Sequence, residues 1–418
     1  MPRAPSNHVL DAIPSDVTHI CRRLRDGGHR GWVVGGCVRD LLRGAPAKDW
    51  DIATDAAPKR VMRMFRRVIP TGIQHGTVTV MVRGVGYEVT TLRGEGDYVD
   101  GRRPASVVFL DDIEEDLARR DFTFNAIAIE PLAGDLIDPF DGARDLAARC
   151  LRAVGDPEAR FREDGLRILR AARFAATLEC EVAPATREAM GADAPLATLA
   201  RVSAERVHDE WLKTMTAAKP SQGFALLRAC GAMGVVAPEL AAIGDDALDR
   251  SLATVDRLDD PILRVAALLM FVAEPEAVLG RLKFSRAHQT RITLAIRHHD
   301  LDPDLSGADL RRWLATVSKP HVDDAFDLAL ARATSENRPA VARARARARA
   351  ELEAGVPLTT RDLAVRGRDL MHALEVAPGP HVGELLNHLL EVCLRDPAQN
   401  ERARLLEHAA AARARRAP

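Results

Sequence analysis

The amino-acid sequence predicts an α/β head followed by a long all-α region. Residues 28 to 138 alternate short β-branched runs with short amphipathic stretches, whereas nearly everything after residue 156 carries Ala, Leu, Arg and Glu at helical spacing. The chain has 418 residues, 47% hydrophobic and 28% charged, enough to bury more than one core. Two to four domains are expected, and a disordered or collagen-like chain is excluded. No run of about 18 uncharged apolar residues occurs, and the opening MPRAPSNHVLDAIPSD lacks the basic-then-apolar layout of a secretory signal. A soluble, cytoplasmic protein is expected.

Within the head, strands are expected at Trp32 to Val34, Trp50 to Ala53, Thr77 to Val82, Tyr87 to Leu92 and Ile127 to Ile129, each bounded by Gly, Pro or Asp. Short helices separate the first three. The segment Arg93 to Pro104, RGEGDYVDGRRP, holds three glycines and six charges and reads as a mobile surface loop. Beyond it, helices are expected over Pro157 to Leu178, Ser203 to Met215 and Ser221 to Cys230, with breaks at Pro184, Pro195 and Pro220. No internal repeat of fixed period is found. The alternation RARARARA from Arg343 to Ala350 sends its arginines all round a helix axis, which favours a solvated helix over a phosphate ladder. The closing RARRAP is expected to fray.

Six cysteines lie far apart, with no C-x-x-C pair and no histidines at zinc-finger spacing, so reduced and mostly packed thiols are expected. Basic and acidic residues number 59 and 60. The resulting net charge of −1 gives no global pull toward nucleic acid, so any polyanion site must be a local patch. Only six of the basic residues are lysine; the others are arginines, whose guanidinium binds phosphate as a bidentate fork.

The segment GWVVGGCVRD, Gly31 to Asp40, runs a short strand into two glycines and an amphipathic helix. Two glycines let the backbone approach an anion, and the helix start presents free N–H groups beside Arg39. Alone, such a turn is ordinary. Ten residues on, Asp49-Trp50-Asp51-Ile52-Ala53 places two carboxylates at i and i+2 of a strand-like run, so both leave on one face. Hard oxygen pairs suit Mg²⁺, which can activate an attacking hydroxyl and neutralise a leaving pyrophosphate. A phosphate cradle one short helix upstream of an acidic pair is what nucleotidyl transfer requires. Glu88, in the β-branched run YEVTTL, is either a third carboxylate of this set or an outward-facing strand residue.

Arg119 and Arg120, in RRDFTFNA, can hold a triphosphate or pair internally with neighbouring carboxylates. In EDGLRILRAARF, Asp164, Arg167, Arg170 and Arg173 step by three and share one stripe of a helix. A carboxylate only accepts hydrogen bonds and a guanidinium only donates them. Cytosine and adenine both carry an amino donor beside a ring-nitrogen acceptor, so Asp164 with Arg167 can bind either base edge. Guanine and uracil present the opposite polarity, leaving groups unpaired at about 1 to 3 kcal/mol each.

These segments resemble the class II tRNA nucleotidyltransferases, the CCA-adding enzymes and their bacterial poly(A) polymerase relatives. The landmarks are GGCVRD, DWDIAT, RRDFTFNAIAI, IDPFDG, EDGLRILRAARF, and SAERVHDEW with Glu205, Arg206 and Glu210; DLAVRGRDLMHAL and PGPHVGELLNHLLEVCL extend the likeness toward the C-terminus. The resemblance implies an α+β head of the polymerase-beta-like nucleotidyltransferase type over residues 1–138, with an N-terminal helix. A helical neck (139–217) for base recognition, a body (218–335) and a tRNA-binding tail (336–418) would follow. It implies that Asp49 and Asp51 are catalytic and hold Mg²⁺, with Glu88 as a third ligand. Gly36 and Arg39 would contact the incoming nucleotide, and Arg120, Asp164, Arg167, Arg170 and Arg173 would complete its pocket. The implied partners are CTP, ATP and the acceptor and TΨC arms of tRNA.

Poly(A) polymerases of this family carry a basic-aromatic segment where this chain has Thr71-Gly72-Ile73-Gln74-His75-Gly76-Thr77, which favours CCA addition. The loop from Arg93 has the full length associated with AMP addition, so a CC-only enzyme is disfavoured. An A-adding enzyme stays open as an alternative. A catalytically silent RNA-binding module is disfavoured by the intact Asp49 and Asp51. His208-Asp209 and His299-Asp300 lack partner histidines at useful spacing, and no phosphohydrolase activity is expected.

Overall fold

Strand alternation builds the first third of the chain around one mixed sheet. The computed structural model describes residues 7–93 and 112–415, and the chain divides into two units with the boundary between Ala242 and Ile243. In the first unit, helices α1 (Asn7–Asp11) and α2 (Ser15–Asp26) precede β1 (Gly31–Val34), α3 (Gly36–Leu42), β2 (Asp51–Thr54), α4 (Pro58–Met64), β3 (Val68–Gly72), β4 (Thr77–Val82) and β5 (Val85–Thr91). After α5 (Ile113–Ala118) come β6 (Ala128–Glu130) and β7 (Asp135–Ile137). The sheet order is β3-β4-β5-β2-β1-β6-β7. Its β2–β5 pair is parallel and the other pairs are antiparallel.

Side-chain alternation assigns the two faces. Val33, Ile52, Val78, Val80, Val89 and Ile129 point to one side, where α2 contributes Val17, Ile20, Cys21 and Leu24 and α4 contributes Val61 to the same core. On the other side Trp32, Val34, Ala53 and Ala128 pack with Ile113 and Leu117 of α5. That second face is only partly covered. Asp51, Thr77, Glu88 and Thr90 are left to line a cavity.

The five strands expected from sequence are present, Thr77–Val82 with the expected ends and the other four with ends shifted by one or two residues; β3 and β7 are additional. Strand β2 begins at Asp51, so Asp49 lies in the segment before the strand; the reading that both aspartates belong to it is corrected. The loop expected from Arg93 to Pro104 lies outside the described residues except for Arg93 itself.

Helix α6 (Gly142–Ala147) and the short parallel pair β8 (Cys150–Leu151) and β9 (Glu181–Val182) lead into a helical region. A single helix over Pro157 to Leu178 is not formed. Helix α7 (Pro157–Glu163) ends before Asp164, and α8 (Leu166–Leu178) starts anew. Asp164 is extended, and its Oδ1 accepts from Leu166 N at 3.0 Å. A Cβ on Gly165 would stand 2.3 Å from the backbone nitrogen of Leu199, so only glycine permits this approach. Helices break before Pro184 and Pro220 as expected, each proline opening the next helix, α9 (Pro184–Met190) and α12 (Pro220–Ala229); Pro195 is the correction, since it sits in the first turn of α10 (Asp193–Leu199). Helix α8 packs against α11 (Ala204–Met215) and α12.

The second unit is helical, and two clusters of buried side chains stand out in it. One gathers Leu310, Leu314, Phe326 and Val341; the other gathers Leu370, Leu385, Leu389 and Leu405. The helix Arg338–Glu353, which holds RARARARA, is not simply solvated: Val341, Ala344 and Ala348 are buried. Arg345 pairs with Asp323 at 2.7 Å and Asp327 at 2.8 Å, Arg349 pairs with Asp323, and Arg347 donates to the carbonyls of Pro303 and Leu305. All six cysteines are free thiols, as expected. Among the described residues no helix is long and apolar enough to cross a membrane.

Candidate active site

A cavity of about 670 Å³ opens in the first unit on the uncovered face of the sheet. Several elements of this unit wall it. The sheet supplies Asp51 and Glu88, the start of α3 supplies Gly35, Gly36 and Arg39, and the segment after α5 supplies Arg120, Asp121 and Asn125. Asp164, Arg167, Arg170, Arg173 and Arg206 form the opposite wall. Every site residue expected from sequence lines this cavity except Asp49. Asp49 lines a second groove, which shares Asp51 and Glu88 with the first.

The acidic edge follows from strand register. Asp51 of β2 stands opposite Glu88 of β5, and both side chains take the cavity face. Burial pushes the Asp51 carboxyl up to about 6; the charges of Glu88 and Asp49 push the same way, and the Arg120 guanidinium opposes them. Among the described residues no three His, Cys, Asp or Glu side chains form a ready-made metal cage. The donors are nonetheless hard oxygens in mutual repulsion. They fit a divalent ion that takes one or two carboxylates and fills its remaining positions with water and phosphate oxygens.

The cationic wall is held by carboxylates set behind it. Gly35 has φ +79°, and a Cβ there would lie 3.2 Å from Arg120 Nη1 and 3.7 Å from Asp51 Oδ2. The bare backbone therefore lets a guanidinium and a carboxylate come close to the start of α3. Arg39 donates from Nε to Asp40 Oδ1 and from Nη2 to Asp40 Oδ2, each at 3.0 Å. Arg119 and Arg120 both pair with Asp116, which is only 2% exposed. Burial alone would raise the Asp116 carboxyl, but the two guanidiniums outweigh it and hold it below the ordinary carboxylate range. Internal pairing and a place on the cavity wall thus coexist for both arginines.

Asp164 and Arg167 are similarly anchored. Asp164 Oδ2 accepts from Arg206 Nη2 at 2.6 Å, and Arg167 donates to Glu163 Oε2 at 2.5 Å and to the carbonyl of Arg119 at 3.1 Å. Asp164 precedes α8 and does not belong to the helical stripe of Arg167, Arg170 and Arg173, yet all four face one cavity. Arg170 pairs with Asp121 and Arg173 with the buried Glu210. Asp116, Asn125 and Arg206 also line the cavity and are site residues to which the sequence alone assigns no role. The spacing of Asp116 to Arg119 and Arg120, three and four residues, was a signal for the first; Asn125, four residues after Asp121, offered a weaker one.

Three family models match the chain: the Poly A polymerase head domain over residues 31–152, an RNA- and SrmB-binding region of polymerase A over 181–243, and tRNA nucleotidyltransferase domain 2 over 328–409. The CCA-adding enzyme of Levilactobacillus brevis is 37% identical over 93% of this chain and 95% of that protein. The one from Geobacillus stearothermophilus is 35% identical over 92% and 94%. The crystal structure of the Bacillus stearothermophilus CCA-adding enzyme in complex with CTP superposes with a TM-score of 0.77 at 29% identity, covering 99% of both chains. The Thermotoga maritima CCA-adding enzyme complexed with tRNA shares the fold, with a TM-score of 0.68 at 19% identity over 98% of each chain.

Proposed function

The chain belongs to the CCA-adding enzyme family of tRNA nucleotidyltransferases, and from that premise we propose that it adds C, C and A to the 3′ end of tRNA, without a template, from CTP and ATP. Pyrophosphate is the other product. The observation that carries this reading is that one cavity joins an acidic strand edge to an arginine-rich wall. The relatives' names favour addition of all three nucleotides over an A-only activity.

Transfer in this family is generally dependent on a divalent metal, and we take the ion here to be Mg²⁺, held by Asp49 and Asp51 with Glu88 beside them. The chemistry supplied by such an ion is activation of the tRNA 3′-hydroxyl and neutralisation of phosphate charge. The chain's own residues do the remainder. Gly36, Arg39 and Arg120 steady the triphosphate so that its α-phosphorus faces the hydroxyl. Asp164 accepts from the exocyclic amine of C or A while Arg167 donates to the ring nitrogen, and Arg170 and Arg173 complete the wall around the base. Arg206 holds the Asp164 carboxylate ready.

The division into head (1–138), neck (139–217), body (218–335) and tail (336–418) gives the last two parts the acceptor and TΨC arms, bound by shape and phosphate contact. A cytoplasmic setting follows from these substrates. The test is incorporation of labelled CTP and ATP into tRNA lacking its 3′ end, with Mg²⁺, for the parent enzyme and Asp49→Ala. The parent should extend the tRNA by three nucleotides and the variant should not; no transfer by the parent overturns the reading.

A further inference from the structure

Arg39 and Arg170 reach the cavity from different elements, α3 and α8, and a shared pair of side chains connects them. Asn125, only 6% exposed, ends a 3₁₀ turn over Thr123–Asn125. Its Nδ2 donates to Asp121 Oδ1 at 2.9 Å, and its Oδ1 accepts from Arg39 Nη1 at 3.0 Å. The other oxygen of Asp121 accepts from Arg170 Nε at 2.7 Å. The backbone carbonyl of Asn125 accepts from Arg120 Nη1 at 3.3 Å. One buried residue thus lies between three cavity arginines.

The polarity of this relay is fixed by its ends. A carboxylate can only accept and a guanidinium can only donate, so the amide has one permitted orientation. A carboxylate at 125 would repel Asp121 and an ammonium would repel Arg39; an amide satisfies both neighbours with no added charge. Phe174 supports the same geometry from the side. The guanidiniums of Arg39 and Arg170 lie 5.3 Å and 5.4 Å from its ring centroid.

We infer that Asn125 is a positioning residue for nucleotide binding, which together with Asp121 sets the spacing of Arg39 and Arg170 across the pocket. It acts through those arginines. Groups aligned before the nucleotide arrives lose less freedom on binding, so removal of the relay is felt mainly as weaker capture. This inference rests on the nucleotide-pocket reading of the cavity.

The experiment is steady-state kinetics of CTP and ATP addition for Asn125→Ala, Arg39→Ala and the double variant, with melting temperatures recorded alongside. Asn125→Ala should raise KM for both nucleotides about tenfold, with most of the loss in KM rather than kcat. The double variant should lose much less than the product of the two single losses. An unchanged KM, or losses that multiply, overturns the inference. Should Asn125→Ala fold poorly, the isosteric Asn125→Asp carries the test: it keeps an oxygen for Arg39 but sets a second carboxylate against Asp121. It should melt below the parent while its KM for CTP rises less than that of Arg39→Ala; a rise as large as in Arg39→Ala overturns the inference. Failure of the parent to transfer at all is a different result and removes the underlying reading instead.

Discussion

Asp51 and Glu88 stand in register across the parallel β2–β5 pair, so two carboxylates share one edge of the cavity. Burial, reinforced by Glu88, raises the proton affinity of Asp51 until its pKa is about 6. An acid whose folded pKa lies above its unfolded value contributes stability below the unfolded value and loses it as the pH rises through the folded one. At pH 7.5 Asp51 is therefore ionised at a cost to the fold. Asp51→Asn should abolish transfer, by about a thousandfold or more in kcat, yet melt no lower than the parent at pH 7.5. Its stability gain, on the order of 1 kcal/mol, should shrink as the pH falls toward 4. Thermal melts across pH, paired with a transfer assay, check both halves; an inactive variant that is also markedly less stable would contradict them.

Base choice should depend on Arg206 as well as on Asp164 and Arg167. Arg206 holds Asp164 Oδ2 at 2.6 Å, while Leu166 N holds the other oxygen. Without Arg206 the carboxylate keeps its bond from Leu166 N but loses its second constraint. Arg206→Ala should lower discrimination of CTP and ATP against UTP and GTP by about tenfold, a larger effect than on CTP turnover. Replacing Asp164 and Arg167 together should relax selection further. Competition assays with mixed nucleotides measure it, and unchanged selection counts against the base-reading role.

How much of this was legible in the sequence depends on whether the signal was local. The strand-glycine-helix run around Gly35 and Gly36, and the run of arginines three apart from Arg167 to Arg173, were readable because each lies within one segment. Glu88 was ambiguous because only pairing with β2 decides which face it takes. The break at Asp164 and Gly165 is hard to see between two runs of good helix formers, and what makes glycine necessary there is the close backbone of Leu199, distant in sequence. Strand β3 was missed because Ile69, Pro70 and Thr71 are exposed on an edge and show no apolar alternation. The arginine alternation after Arg343 looks solvated in sequence because its acidic partners, Asp323 and Asp327, belong to another helix.

Asp116 should govern acid sensitivity of the head. Burial opposes its ionisation, but Arg119 and Arg120 overcome this and lower its pKa. A carboxyl with a depressed folded pKa contributes stability above its unfolded value of 3.8, and that contribution is lost as the pH falls through the folded value. Asp116→Asn should destabilise the protein at pH 7 by about 3 kcal/mol, because two guanidiniums lose a buried partner. The difference from the parent should narrow below pH 4. Urea unfolding at the two pH values measures it, and a penalty independent of pH would exclude the ion pair as its source.

Binding of tRNA should weaken as salt is added, since phosphate neutralisation releases counterions. Nucleotide capture uses few charges inside a cavity and should respond less. The expected outcome is a steep fall in tRNA affinity between about 50 and 200 mM salt, with KM for CTP changing less over the same range. Filter binding and initial-rate kinetics in parallel distinguish the two slopes.

The two glycines of GGCVRD should differ sharply in tolerance. Gly35 has φ +79° and ψ −135°, a conformation that residues with a Cβ rarely adopt, and the added methyl would press on Arg120 Nη1. Gly36 begins helix α3, and a Cβ there would meet Arg39 Nη2 at 3.5 Å, an ordinary contact. Gly35→Ala should therefore cost about 1 to 3 kcal/mol of stability and raise KM for both nucleotides by displacing Arg120. Gly36→Ala should leave the melting temperature near that of the parent and act only through closer approach to the triphosphate. Melting curves and KM for CTP, measured on both variants, separate backbone strain at Gly35 from phosphate contact at Gly36; equal destabilisation by the two substitutions would refute the distinction.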